Sequence, residues 1–189
     1  MSFRTVLLKG DYTGQHERQA MAQKEGCAGV VDFHFNSFDN PQAHGGEVFY
    51  KSACADSKKF ARSIWSEFEK LPLPPHGDPL KPAAGSRAAY IERYAMPAVL
   101  LEPLFLSNPQ QAEWLHMTGG QSSNVKNLAQ AIAQGIRQSF AEGSTIGLSP
   151  GHIFKTLKST DSGADCCKGD TEKDHVLELI NLVESELQI

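Results

Sequence analysis

The stretch TIGLSPGHIFKTLKSTDSGADCCKGDTEKD, residues 145–174, decides how this 189-residue chain folds. It has the order of an opening βα unit, although it lies close to the end of the chain. Thr171 and Asp174 have the spacing of a helix capping box. The apolar residues that follow recur on one helical face: Val176, Leu179, Ile180, Val183 and Leu187. The segment predicts a strand over 145–149, a loop over 150–170 and an amphipathic helix from 171.

Apolar runs alternate with helical patterns through the rest of the chain, which favours one α/β domain. We expect a twisted, mostly parallel sheet with helices on both faces. Strands are predicted over 3–9, 28–35, 45–51 at an edge of the sheet, and 97–102 at its centre. Helices are predicted from the cap Thr13 to 25, over 52–71, from the cap Asn108, and over 125–140. The proline-rich segment 71–85 is predicted to be loop or extended.

Composition excludes several functional classes. Charged residues make up 21% of the chain and the formal net charge is −4, without a run of Lys or Arg. We therefore expect no charge-driven binding to nucleic acid or membrane. The start MSFRTVLLKGDY lacks a secretory apolar core, so we expect synthesis in the cytoplasm without a signal peptide. We also expect the protein to be a monomer.

The four cysteines, Cys27, Cys54, Cys166 and Cys167, show no CxxC spacing. Reduced thiols are the favoured interpretation, and a cysteine metal site is the less favoured alternative.

Three apolar runs end on residues that bind metals or move protons: His34, Glu102 and His152. The carboxyl ends of parallel strands share one edge of a sheet, where ligands bind. Glu172 adds a carboxylate in the first turn of the following helix. Two imidazoles, one carboxylate and a water form a catalytic zinc set, and a further carboxylate can act as general base.

Each of these residues also has a plainer interpretation. A single His at a strand end is more often structural than a metal ligand, and Glu172 alone suits a helix N-terminus. Glu102 is costly to bury after four apolar residues without a purpose. His175 could join Glu172 as a ligand, and His44 with Glu47 is another possible pair. The remaining histidines, His16, His76 and His116, are predicted to be solvent-exposed.

Several stretches resemble zinc-dependent N-acetylmuramoyl-L-alanine amidases of the amidase type 3 family. They are TVLLKGDYTGQHERQAMAQKEGC (5–27), GVVDFHFNSFDNPQAHGGEVFY (29–50), MPAVLLEPLFLSNPQQAEWL (96–115) and NLAQAIAQGI (127–136). Together they cover about residues 3–140, and LEPLFLSNP is the most specific part. The family's first strand and zinc loop have no counterpart before Phe3.

Two stretches near the end of the chain resemble the family's first strand, zinc loop and first helix. They are LSPGH (148–152) and DSGADCCKGDTEKDHVLELINLVE (161–184). The chain thus resembles a circularly permuted amidase, one catalytic domain over 1–189. In it, 145–189 corresponds to the usual N-terminal strand, zinc loop and first helix. Surface connections tolerate such cutting and rejoining.

Carried over by position, the resemblance implies that His34, His152 and Glu172 bind Zn²⁺ and that Glu102 is the catalytic base. Two positions depart from the family pattern. Ile153-Phe154 replaces a pair of glycines, and Pro103 replaces a small residue.

The implied activity is hydrolysis of the amide between N-acetylmuramic acid and L-alanine in peptidoglycan. The implied setting is a phage or prophage lysis enzyme acting on the cell wall. A zinc peptidase or other amidohydrolase, and a non-catalytic wall-binding module of the same fold, are the alternatives.

Overall fold

A computed structural model describes residues 2–10, 16–119, 122–155, 160–166 and 168–189. In these ranges the chain forms eight strands, five α-helices and one 3₁₀ helix. The strands are β1 (Arg4–Leu7), β2 (Gly29–Phe33), β3 (Gly46–Tyr50), β4 (Pro75–Pro82), β5 (Ala98–Glu102), β6 (Thr118–Gly119), β7 (Ser122–Ser123) and β8 (Thr145–Pro150). The helices are α1 (Glu17–Lys24), α2 (Ala55–Phe68), the 3₁₀ helix (Ala89–Arg93), α3 (Pro109–His116), α4 (Asn124–Ser139) and α5 (Glu172–Gln188).

The main sheet has six strands in the order β1-β8-β2-β5-β3-β4 within the described residues. All neighbouring pairs are parallel except β3 and β5, which run antiparallel. β8 is the last strand in the chain, yet it lies between β1 and β2. The C-terminal segment therefore completes the interior of the sheet.

Helices cover both faces of this sheet. Alternation along the strands sends Val31, Phe33 and Leu101 to one face, where they pack against α2, α4 and α5. Val30 and Leu100 point to the other face, which α1 and the 3₁₀ helix cover. Both faces of the sheet are apolar, because helices bury the strands on both sides and leave no face in contact with water.

The predicted α/β class is confirmed, and the predicted strands and helices recur with shifts of a few residues at their ends. The Thr171–Asp174 cap is also present, since the Asp174 carboxylate accepts hydrogen bonds from the Thr171 N–H at 3.0 Å and hydroxyl at 2.8 Å. The predicted cap Thr13 lies outside the described residues.

The prediction that 45–51 forms an edge strand was wrong. β4, from the proline-rich segment, pairs in parallel with β3 and takes the edge position. Proline lacks a backbone donor, so a strand with prolines is confined to a sheet edge, where one side of its backbone needs no partner.

The two ends of the described chain are adjacent. The Phe3 N–H donates a hydrogen bond to the Leu187 carbonyl at 3.0 Å, so β1 begins where α5 ends. Among the described residues, no helix combines the length and apolarity that crossing a membrane requires.

Gly135 lets α4 approach α2 closely. A Cβ at this position would lie 2.6 Å from Ile64 Cα, and a backbone atom cannot rotate away. Replacing an exposed helical Gly with Ala normally stabilises a protein by about 1 kcal/mol. We expect Gly135→Ala instead to lower the free energy of unfolding by roughly 1–3 kcal/mol, as overpacking does.

Denaturant unfolding of the variant measures this change. Gln134→Ala, one position away on the exposed face of α4, is the control and should leave stability nearly unchanged. A more stable Gly135→Ala protein would contradict the packing described above.

Candidate active site

Three strands end together at one edge of the sheet. The register places Phe33 beside Pro150 of β8 and beside Leu101 of β5. The next residues of these strands are therefore neighbours: His34, Gly151 and Glu102. The His34 N–H donates to the Leu101 carbonyl at 3.0 Å, which carries the alignment one residue beyond β2.

Glu172, the first residue of α5, reaches back over this edge. Its Oε1 lies 2.9 Å from His34 Nδ1 and accepts the Phe35 N–H at 3.0 Å. Its Oε2 lies 3.3 Å from His152 Nε2 and accepts the Ala164 N–H at 3.0 Å. One buried carboxylate thus joins β2, the loop after β8 and α5.

The environment keeps Glu172 ionised. Burial alone would raise the pKa of its carboxyl, but contacts with His152 and His34 hold that pKa well below its usual range. Burial pushes the pKa of His152 down, and the Glu172 and Asp161 carboxylates more than compensate, so it is raised.

The backbone around His152 is unusual. His152 and Phe154 have φ angles of 59° and 57°, a left-handed conformation that favours glycine. The resemblance described under Sequence analysis implies that Phe154 stands where the family pattern has glycine, and its backbone has the conformation that glycine adopts easily. Strain of this kind costs about 1–3 kcal/mol and clusters at functional sites.

Two neighbours hold this loop in place. Asp161 lies 2.8 Å from His152 Nδ1, which fixes the orientation of the ring. Arg18, fully buried in α1, donates to the carbonyl oxygens of Pro150 and Ile153 at 2.5 and 2.6 Å. Both residues were missed by the sequence analysis, because neither lies at a strand end.

Glu102 faces a cluster of charged and polar side chains on the same cleft. Arg87 forms an ion pair with it and also contacts Glu47 at 3.2 Å. Glu47 stands directly opposite Glu102 on β3, pairs with Lys81 and accepts a hydrogen bond from Asn36 at 2.9 Å. The sequence analysis missed Arg87, which follows β4 in an irregular stretch without any periodic signal.

Glu102 and Glu172 experience opposite electrostatic effects. Burial raises the pKa of Glu102 to about 8, Arg87 partly offsets this, and the nearby Glu47 and Glu172 carboxylates add to it. A general base works best when its pKa lies near the working pH. Two carboxylates with separated pKa values can divide the acid–base and charge-stabilising roles between them.

The donor atoms of His34, His152 and Glu172 fit a metal ion. These three side chains each offer one atom, and all lie within 4.8 Å of one another. Two imidazole nitrogens and one carboxylate oxygen match a zinc set that keeps its fourth position open. The cleft they share with Arg87, Tyr90 and Glu102 measures about 280 Å³.

The alternative ligands suggested by the sequence lie elsewhere. His44 is exposed, and its Nδ1 contacts the Gln42 carbonyl at 2.9 Å. The ring of His175 contacts the ring of His116, with centroids 5.0 Å apart. Tyr90, missed by the sequence analysis, places its hydroxyl 3.2 Å from His34 Nε2.

The fold and this site define an α/β protein with a candidate metal-binding cleft at the carboxyl edge of its sheet. The chain belongs to the N-acetylmuramoyl-L-alanine amidase family, whose sequence pattern matches residues 4–138. No curated protein sequence matches the chain significantly.

Solved amidase structures are similar to this chain. The catalytic domain of CwlV from Bacillus (Paenibacillus) polymyxa var. colistinus shares 28% identity, with a TM-score of 0.53 over 65% of this chain and 63% of that one. Ami1 from Mycobacterium smegmatis shares 24%, with a TM-score of 0.55 over 65% and 58%. CwlD from Clostridioides difficile, solved in complex with the GerS lipoprotein, shares 23%, with a TM-score of 0.53 over 65% and 59%. The chain spans about three fifths of each structure.

The raised pKa of Glu102 makes stability depend on pH. Between about pH 4.5 and 8 the unfolded chain loses this proton while the folded chain retains it, so the free energy of unfolding falls as pH rises. Glu102→Gln removes this pH-dependent loss of stability, because glutamine does not ionise. In chelator-treated protein we expect the variant's stability advantage to grow across that window, with a limiting slope of about 1.4 kcal/mol per pH unit.

Urea unfolding at a series of pH values measures this divergence. Glu178→Gln, exposed on α5, is the matched control and should track the wild type. Parallel curves for Glu102→Gln and wild type would show that burial does not govern this carboxyl.

Proposed function

We propose that this chain is a zinc-dependent N-acetylmuramoyl-L-alanine amidase. It would hydrolyse the amide between the lactyl group of N-acetylmuramic acid and L-alanine in peptidoglycan. His34, His152 and Glu172 hold the metal, and Glu102 is the general base. The convergence of these three donors on one cleft with a buried carboxylate, in a chain of this family, carries the proposal.

Zinc, when bound, polarises the scissile carbonyl and lowers the pKa of a bound water to about 7. Glu102 accepts the proton of the attacking water and passes it to the leaving amine. Arg87 orients the Glu102 carboxylate through their ion pair. Burial keeps the proton affinity of Glu102 high enough for it to serve as both acceptor and donor.

The surrounding residues orient the metal-binding groups. The contact between Asp161 and His152 Nδ1 directs His152 Nε2 towards Glu172. Carboxylates that contact the second nitrogen of a metal-binding His typically set its tautomer and ring orientation. The Phe35 and Ala164 N–H groups hold the Glu172 carboxylate in place.

We also propose that the chain is a circular permutant of the family, with 145–189 as the displaced first strand, zinc loop and first helix. Three observations support this: the family pattern stops at residue 138, β8 lies between β1 and β2, and Phe3 bonds to Leu187. The lysis-enzyme setting stays a prediction.

Substitution of Glu102 tests the mechanism. Glu102→Gln should lower kcat by about 10²- to 10⁴-fold, because proton transfer contributes on that scale. The measurement follows new L-alanine amino groups released from purified cell walls. His34→Ala is the paired variant: it should lose zinc as well as activity, whereas Glu102→Gln should keep zinc.

Product analysis separates this proposal from its alternatives. Cleavage within the peptide stem would indicate a zinc peptidase. Zinc-loaded protein that binds walls without releasing amines would indicate a binding module. Undiminished activity of Glu102→Gln would refute the assigned base.

Reopening the chain tests the permutation. Ile189 joined to Ser2 by a short Gly/Ser linker, with new ends in the exposed turn at 141–144, should restore the family's usual strand order. We expect an unchanged far-ultraviolet circular dichroism spectrum and retained wall hydrolysis, since no element is cut. A control opened inside β5 should not fold. Failure of the first variant to fold would contradict the permutation.

A further inference from the structure

A second group of metal-binding side chains lies beside the candidate active site. It contains His116 at the end of α3, Cys166 and Asp170 in the loop before α5, and His175 in the first turns of α5. Each offers one donor atom, and all four atoms lie within 4.8 Å of one another. Two segments that are distant in sequence, the end of α3 and the loop that leads into α5, thus converge on one point.

The two imidazoles face the same carboxylate oxygen. Asp170 Oδ2 lies 2.8 Å from His116 Nε2 and 3.1 Å from His175 Nε2. Despite its short distance, the His175 contact lacks hydrogen-bond geometry. In the described part of the chain, His175 Nε2 and Asp170 Oδ1 are buried atoms without a hydrogen-bond partner. The His116 contact with Asp170 is a hydrogen bond, whereas His175 Nε2 is a buried donor atom that lies within reach of the same oxygen with its bonding capacity unused.

The neighbouring contacts hold these donors in place. His116 Nδ1 donates to the Ala112 carbonyl at 2.6 Å, and this directs Nε2 at Asp170 Oδ2, where a bound metal would replace the Nε2 proton. A ring nitrogen bonded to a backbone carbonyl is characteristic of a metal-binding His. The ring of His175 packs edge-on against Phe35, with centroids 5.9 Å apart.

The loop that carries Cys166 and Asp170 is closed by its own backbone. The Cys166 N–H donates to the Asp170 carbonyl at 2.8 Å, and the Gly169 N–H donates to the Cys166 carbonyl at 3.0 Å. Gly169 has a φ of 95°, which a residue with a side chain rarely adopts. Cys166 is 5% exposed and its side chain contacts Asp170. The adjacent Cys167 lies outside the described residues.

We propose that His116, Cys166, Asp170 and His175 form a second metal site that binds Zn²⁺ and has a structural role. One thiolate, two imidazoles and one carboxylate are donors that zinc accepts together. Four protein donors close a tetrahedral site, whereas the set of His34, His152 and Glu172 leaves one position open. The two sites therefore differ in chemistry as well as place.

The position of this site explains what it would stabilise. Asp170 and His175 flank Glu172, and Phe35, which packs on His175, follows His34 directly. Where the structure describes the loop between Gly151 and Thr171, at 151–155, 160–166 and 168–171, it forms turns and an isolated bridge but no helix or strand. A metal at this site would link the loop and α5 to α3. It would thereby hold His152, in the loop, and Glu172, in α5, in position against the end of the sheet.

Metal analysis of the full chain tests the second site. After anaerobic purification and zinc loading, the wild type should retain two zinc ions per chain on a desalting column. Cys166→Ser and His116→Gln should each retain one. Loading with Co²⁺ should give a thiolate-to-cobalt charge-transfer band in the wild type that Cys166→Ser lacks. Cys54→Ser is the matched control and should keep the band.

His34→Ala separates this inference from the proposed function. It should retain one zinc and still show the thiolate band with Co²⁺. Wild type that binds one zinc, shows no thiolate band and loses its metal in His34→Ala would overturn the second site and leave the catalytic proposal intact. Loss of zinc only in Cys166→Ser and His116→Gln would instead refute the proposed catalytic site.

Discussion

The carboxylate of Glu172 is the contact on which the geometry of the site depends. It is 3% exposed, and its two oxygens take four partners: the imidazoles of His34 and His152 and two backbone N–H groups. Burying a carboxylate without partners costs several kcal/mol of folding free energy. The four partner groups therefore stabilise the Glu172 carboxylate, and the carboxylate keeps the segments that carry them together. Close packing reinforces the arrangement, because a Cβ at Gly163 would lie 2.5 Å from Glu172 Oε2. The N-terminus of α5 is thereby held against the carboxyl ends of β2 and β8.

Two buried glutamates in one cleft are driven to opposite protonation behaviour by their neighbours. Glu172 has imidazoles and backbone donors, which favour its ionised form. Glu102 forms an ion pair with Arg87, but it also faces the carboxylate of Glu47 across the β3–β5 ladder, which favours its neutral form. The difference arises from position alone, since both side chains are chemically identical. The different surroundings make Glu172 suited to binding a cation and Glu102 suited to moving a proton.

The order of the strands has consequences for folding. β8 lies between β1 and β2, and neither of those strands can complete its pairing until residues 145–150 have been made. Such long-range pairing slows folding relative to local contacts. The contact between Phe3 and Leu187 shows how little chain would be needed to close the ends. The sheet edge that carries the site is built from β2, β5 and β8, which come from early, middle and late parts of the sequence.

The sequence by itself determined the α/β class and most strand and helix positions, because apolar periodicity is a local property. It also predicted the four residues proposed for catalysis, because strand-end positions can be read from the same pattern. His34, Glu102 and His152 could be grouped because parallel strands end at a common edge. The role of β4 as the edge strand, the ion pair of Arg87 with Glu102, and the cluster of His116 with His175 were decided only by the tertiary structure. These contacts join residues in irregular segments, where no repeating pattern specifies which way a side chain points. Their partners are set by how the loops and helices pack around the finished sheet.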